Sequence, residues 1–194
     1  MYGLPRITVE VPVTSIGSGP SDYEELGSYV VGLRRQQGLH LTLLHIGILA
    51  DFAQDVTEWT KGSTSAEAAT RRTVAWLKGL PILDGFSGSA ARLIVLGGGH
   101  VCGLEVDVPQ HVRDFQMMLV QALHELLEDL LVDNVDDFIL SSRALGFRYP
   151  RWVPHVAVGR PMSRTGHWEI RPLAIEFGES RIRNRQSLPA VDAD

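Results

Sequence analysis

The chain has 194 residues, 44% of them hydrophobic and 21% charged, and carries a formal net charge of −5. That length suits one domain, or two small lobes sharing a core, and no apolar run approaches the roughly 18 residues of a membrane span. The acidic balance argues against a protein that grips long duplex nucleic acid, which needs a basic stripe.

The single cysteine, Cys102, excludes an internal disulfide framework and a multi-cysteine zinc site. The first residues lack the basic-then-apolar pattern of a signal peptide, so a cytoplasmic location is the simplest expectation.

Residues 6–11 alternate polar and apolar and predict a strand ending near Pro12. A Gly/Ser-rich loop over 15–20 leads to a helix expected from Ser21 or Asp22 through about Gln37. Glu24 and Glu25 suit its first turn, and Gly38 its stop. A strand over 39–49 follows directly; 51–62 reads as loop or irregular helix, 65–78 as a helix and 80–87 as a strand. Residues 91–96 and 101–108 predict a β-hairpin around Gly97-Gly98-Gly99, where glycine tolerates positive φ.

The strongest helical pattern runs from Pro109 to about Asp133. Phe115, Met118, Leu119, Ala122, Leu123, Leu126 and Leu130 recur there at three- and four-residue spacing. A connector over 133–150 with a short helical turn precedes a strand over 151–159. Two final strands, 167–177 and 179–187, lead into a tail at about 188–194 expected to be disordered. The order lacks a regular βαβ alternation with glycine-rich phosphate loops, so an α+β fold with two antiparallel lobes is expected.

Two of these strands begin with histidine: His40-Leu41-Thr42-Leu43 and His155-Val156-Ala157-Val158, 115 positions apart. Side chains alternate faces along a strand. His40 and Thr42 therefore share one face, as do His155 and Ala157, while Leu41, Leu43, Val156 and Val158 anchor the other. Two such strands facing each other across a cleft would offer a pair of imidazoles to one phosphate. Imidazole titrates near neutrality, so one ring can accept a proton while the other donates. Phosphoryl transfer needs positioning and charge stabilisation more than covalent help.

Other groups carry less. Arg148, Tyr149, Arg151 and Trp152 form a basic and aromatic cluster before the second motif. There Tyr149 would stack on a base and Arg151 would hold a phosphate. His45 is expected on the face opposite His40, and His100 and Cys102 read as turn residues. His124-Glu125 lacks the second histidine of a zinc-protease helix, and Gly97-Gly98-Gly99-His100 lacks the Lys-Ser/Thr ending of a P-loop. Arg160 reads as a surface residue, and Arg181, Arg183 and Arg185 as a short alternating basic patch.

On His40-Leu41-Thr42-Leu43-Leu44-His45-Ile46-Gly47 and Pro154-His155-Val156-Ala157-Val158-Gly159-Arg160, the chain resembles the two-histidine (2H) phosphoesterase superfamily. That superfamily includes the 2′-5′ RNA ligase-like proteins and cyclic phosphodiesterases. The resemblance covers about residues 5–187 and implies a single bilobal domain over 1–194, with two antiparallel β-sheet lobes and flanking helices around a central groove. It implies His40 and His155 as the acid/base pair, Thr42 as a phosphate ligand, and no metal or cofactor.

The expected partner is a small nucleotide or RNA end rather than a long duplex or a membrane. The expected function is a metal-independent phosphodiesterase acting on a cyclic phosphate, a 2′-5′ linkage or a cyclic (oligo)nucleotide. The alternative is a non-catalytic nucleotide-binding sensor or sponge using the same groove. Ala157 departs from the family pattern, which has Ser or Thr there, and removes one donor of the phosphate grip. Arg151 is the candidate replacement.

Overall fold

The computed structural model describes residues 6–145, 152–163 and 166–185. Its strands are β1 (Arg6–Ile16), β2 (Val30–Val31), β3 (His40–Ile48), β4 (Phe86–Leu96), β5 (Val101–Asp107), β6 (His155–Pro161), β7 (His167–Phe177) and β8 (Arg181–Arg185). Its helices are α1 (Pro20–Glu24), α2 (Leu49–Trp59), α3 (Ala66–Gly79), α4 (Gln110–Asp129) and α5 (Val135–Ser141). Every strand pairing is antiparallel. The fold is α+β, with an eight-stranded antiparallel sheet.

The sheet has two halves, β8-β1-β3 and β7-β4-β5-β6. Two short seams join them: β1 meets β7 through Val13, Ser15 and Ile16, and β3 meets β6 through the single pair Leu41–Val156. The path β6-β3-β1-β7-β4-β5 closes on itself because β5 also pairs with β6. Among the described residues, only β2 and β8, each paired on one side, to β6 and β1, hang off this closed path. The two histidine strands thus lie side by side in one sheet, where the sequence suggested strands facing across a cleft.

One face of β3 and β6 is dry. Leu41, Leu43, Leu44, Ile46, Val156 and Val158 are buried with Val112, Leu119, Leu123 and Leu127 of α4. Each fully buried aliphatic side chain contributes roughly 1.5–3 kcal/mol, before the entropy cost of ordering it. The buried stripe of α4 also includes Gln116, whose Nε2 reaches the Leu43 carbonyl at 3.5 Å. Phe115, Met118 and Ala122 of the predicted stripe are only half-buried, at its margin.

Several elements differ from expectation. β1 runs through Pro12 because the strand changes neighbours there, from β3 and β8 to β7, and Pro12 still accepts from the Gly178 N–H at 2.9 Å. The helix expected to reach Gln37 stops at Glu24 and passes through a 3₁₀ turn, Glu25–Ser28. Val30 and Val31 are then drawn into pairing with Pro161 and Arg160 of β6.

Most of 51–62, read as loop or irregular helix, belongs to the regular α2, which begins at Leu49 and is seated by buried Phe52, Ala53 and Val56. Residues 80–85 are not strand; β4 starts at Phe86. Helix α3 follows the expected span closely, and Ser65 caps it, its Oγ accepting from the Ala68 N–H at 3.2 Å. The hairpin between β4 and β5 turns on Gly97, Gly98 and Gly99, all at positive φ. The expected tail at 188–194 lies outside the described residues.

Candidate functional site

β3 and β6 lay the two motifs beside each other. With Leu41 opposite Val156, one step either way along the antiparallel register brings His40 level with Ala157 and Thr42 level with His155. All four side chains are half-buried, on the face away from α4. Strand alternation places them there because their neighbours Leu41, Leu43, Val156 and Val158 are buried on the other side.

Both imidazoles are held in the same way. His155 Nδ1 lies 2.8 Å from the Val153 carbonyl, and His40 Nδ1 lies 3.1 Å from the Gly38 carbonyl, in each case two residues back. A carbonyl oxygen only accepts, so Nδ1 of His155 carries the proton and Nε2 is left as its exchanging nitrogen. Gly103, level with Ala157 on β5, leaves room for that ring: a Cβ there would stand 3.2 Å from His155 Cδ2. The two strands are also tied by Trp152, whose Nε1–H donates to the Thr42 carbonyl at 3.1 Å.

Beside His40 is an ionic cluster that the sequence reading did not assemble. Glu10 on β1 is opposite Thr42 on β3 and Arg181 on β8, and its side chain is wholly buried, at 0% exposure. Its Oε1 accepts from Arg181 Nε at 3.2 Å, Arg181 Nη2 at 3.1 Å and Arg183 Nη1 at 3.3 Å. Its Oε2 accepts from Thr8 Oγ1 at 3.3 Å and stands 3.4 Å from His40 Nε2. Arg183 Nη1 is also 3.4 Å from His40 Nδ1. A buried carboxylate is costly unless its lone pairs are occupied, and here both oxygens are engaged.

The second half has a plainer counterpart. Glu105 on β5 is opposite His155 and paired in register with Arg92 on β4. Arg92 donates through Nε at 2.6 Å and through Nη2, both to Glu105 Oε2.

The signal for these residues was present but mute. Thr8 and Glu10 are two of the polar positions of β1, and Arg181 and Arg183 two of those of β8. Each reads alone as an ordinary solvent-facing strand residue.

His45 corrects an expectation. β1 pairs Val9 with Leu44 but Glu10 with Thr42, so β3 carries an extra residue at Leu43. That bulge shifts the alternation and turns His45, opposite Thr8, to the same face as His40. The extra residue is also why Leu43 and Leu44 are both buried.

Tyr149 and Arg151, with Arg148, lie outside the described residues. Cys102 is buried in β5, and burial pushes its thiol up from the ordinary value; His100 is exposed at the hairpin turn. Among the described residues no three His, Cys, Asp or Glu side chains are grouped to hold a metal ion, and no helix is long and apolar enough to cross a membrane.

The chain is similar to several solved structures. E. coli LigT complexed with 3′-AMP shares 12% identity over 93% of this chain and 95% of that one, with a TM-score of 0.45. A structure described as a phosphoesterase shares 14% over 95% of this chain and 96% of its own, with a TM-score of 0.43. TT0787 of Thermus thermophilus shares 14% over 91% and 83%, also with a TM-score of 0.43. No protein-family model and no curated protein matches the chain.

Proposed function

We propose that the chain is a two-histidine phosphoesterase that opens a cyclic phosphate, a 2′-5′ linkage or a cyclic (oligo)nucleotide by general acid/base catalysis. The observation that carries this reading is the juxtaposition of His40, Thr42 and His155 on one accessible face of two paired strands. One imidazole removes a proton from the attacking hydroxyl or water, and the other protonates the departing ester oxygen. The Thr42 hydroxyl donates to a phosphate oxygen as negative charge builds. Each proton transfer of this kind contributes typically about 10²–10⁴ in rate. A small anionic substrate accords with an acidic chain, because only the groove needs positive charge.

A second reading, a nucleotide sensor without turnover, is favoured by two observations. Ala157 provides no hydroxyl, and the Nε2 of His40 faces Glu10 Oε2 at 3.4 Å. A screen of 2′,3′-cyclic nucleotides, 2′-5′ dinucleotides and cyclic dinucleotides, following product and binding together, separates the two. Turnover abolished in both His40→Ala and His155→Ala supports the enzyme. Binding without product supports the sensor, and turnover unchanged in both variants sinks the mechanism.

A further inference from the structure

We infer that Arg181 and Arg183, braced on Glu10, are the phosphate-recognition arm of the groove and seat the phosphate on the His40 side. The inference rests on the reading of the groove as a phosphoesterase site, and adds which residues bind the anion and which way round the substrate lies. Arg181 and Arg183 are 48% and 33% exposed, whereas the Glu10 carboxylate beneath them is at 0%. A guanidinium carries five N–H donors. Arg181 uses its Nε and Nη2, and Arg183 its Nη1, to reach Glu10 from above. Arg183 Nη1 also reaches the Gly38 carbonyl at 3.5 Å; among the described residues the other N–H groups of both arginines remain for an anion arriving from solvent, in the forked geometry that suits phosphate.

Charge counting points the same way. Two guanidiniums share one carboxylate in the first half, leaving a net positive charge beside His40 before the imidazole is counted. Among the described residues, Arg92 and Glu105 pair one to one in the second half, 43% and 31% exposed, leaving no unmatched guanidinium beside His155. The Glu10 carboxylate opposes an anion, but it is outnumbered, and its depth keeps the arginines between it and the groove.

The placement also answers the missing hydroxyl. Ala157 comes level with His40 on one side, and Arg183 approaches the same ring to 3.4 Å from the other. The donor lost from β6 is thus replaced from β8, next to the same imidazole.

The test uses the full chain and inorganic phosphate, titrated by calorimetry and followed at the arginine Nε–H signals by NMR. Wild type should bind, with the Arg181 and Arg183 signals moving in a saturable way. Arg181→Gln and Arg183→Gln should each weaken binding by about tenfold or more, the range of charge-assisted hydrogen bonds, and Arg92→Gln by less than about threefold.

Glu10→Gln should move both arginine signals in the ligand-free protein, which a merely space-filling Glu10 would not do. Absent phosphate binding, arginine signals that ignore phosphate, or an Arg92 variant as impaired as the other two would overturn the assignment. The wild-type NMR titration decides even where a variant fails to fold. Turnover of 2′,3′-cyclic AMP with an unchanged KM in folded arginine variants removes the arm and leaves the reaction standing. Phosphate held by the arginines with no turnover of any substrate leaves the arm and removes the reaction.

Discussion

The two halves of the sheet repeat one plan and finish it differently. Each offers a histidine whose Nδ1 is tied to the carbonyl two residues back, a glutamate on the adjacent strand and an arginine on the strand beyond. In the first half the glutamate is sealed from solvent and gathers two arginines, a threonine and the histidine. In the second half it is partly exposed and satisfied by one arginine. The first strand keeps a hydroxyl two residues after its histidine, and the second has a methyl. The difference teaches that two near-symmetric halves of one sheet can be polarised by depth of burial and by one extra charge. Both halves present a histidine, while the hydroxyl and the extra guanidinium gather on one side.

The comparison can be tested from its strongest element down. On the proposed mechanism, His40→Ala and His155→Ala should each lower kcat by about 10²–10⁴ with unchanged circular dichroism, each removing one proton-transfer group. Activity lost in only one of them would mean that the symmetry is decorative.

Next comes the hydroxyl. Thr42→Val should lower kcat by about 10²-fold, the usual loss for one oxyanion donor, and Ala157→Thr should tighten inorganic phosphate binding. A weaker phosphate complex in Ala157→Thr would show that the methyl is packed against ligand.

Each histidine strand also contains a glycine that another segment presses on, and these two should differ in unfolding experiments with urea. A Cβ at Gly47 would meet the Ala144 carbonyl oxygen at 2.0 Å, in a backbone already at φ +81°. Gly47→Ala should cost about 2–5 kcal/mol from combined strain and overpacking. At Gly159 the nearest atom is the methyl Cγ1 of Val30, at 2.3 Å. Buried Val30 and the Gly32 carbonyl oxygen at 3.0 Å crowd that Cβ, but the backbone there is not at positive φ, so Gly159→Ala should cost about 1–3 kcal/mol from overpacking alone. The reverse ranking would refute this account of the two sites.

The smallest contrast concerns the carboxylates. Glu10→Gln should destabilise by about 1–3 kcal/mol through its charged hydrogen bonds. Glu105→Gln, partly exposed and screened, should stay under about 1 kcal/mol. Equal thermal shifts would show that burial does not distinguish the two.

What the sequence disclosed and what it hid follow a physical divide. Short-range patterns were legible: alternation around His40 and His155, the helix beginning near Ser65, the glycine turn at 97–99, and the long apolar period of α4. Helix α2 was not, because it leaves β3 at Ile48 with no capping side chain to announce it. Val30 and Val31 looked like the middle of a helix until β6 supplied a partner.

The bulge at Leu43 was hidden too, since nothing local separates Leu43 from Leu44, and with it went the facing of His45. Glu10 and Arg181 are 171 positions apart, so only the pairing of β1 with β8 could introduce them. His40, Thr42 and His155 could be named from sequence because each carries its chemistry in a strand motif. The ionic cluster could not, because its meaning resides in register.

Trp152 gives the groove an optical reporter. Its indole N–H is bonded to the Thr42 carbonyl across the narrow β3–β6 seam, beside His40 and His155. Indole emission responds to loss of such a bond and to entry of water. A fluorescence titration, with Trp152→Phe subtracting the light from Trp59, Trp76 and Trp168, would therefore follow filling and emptying of the groove in unlabelled protein, even for a ligand that is never turned over.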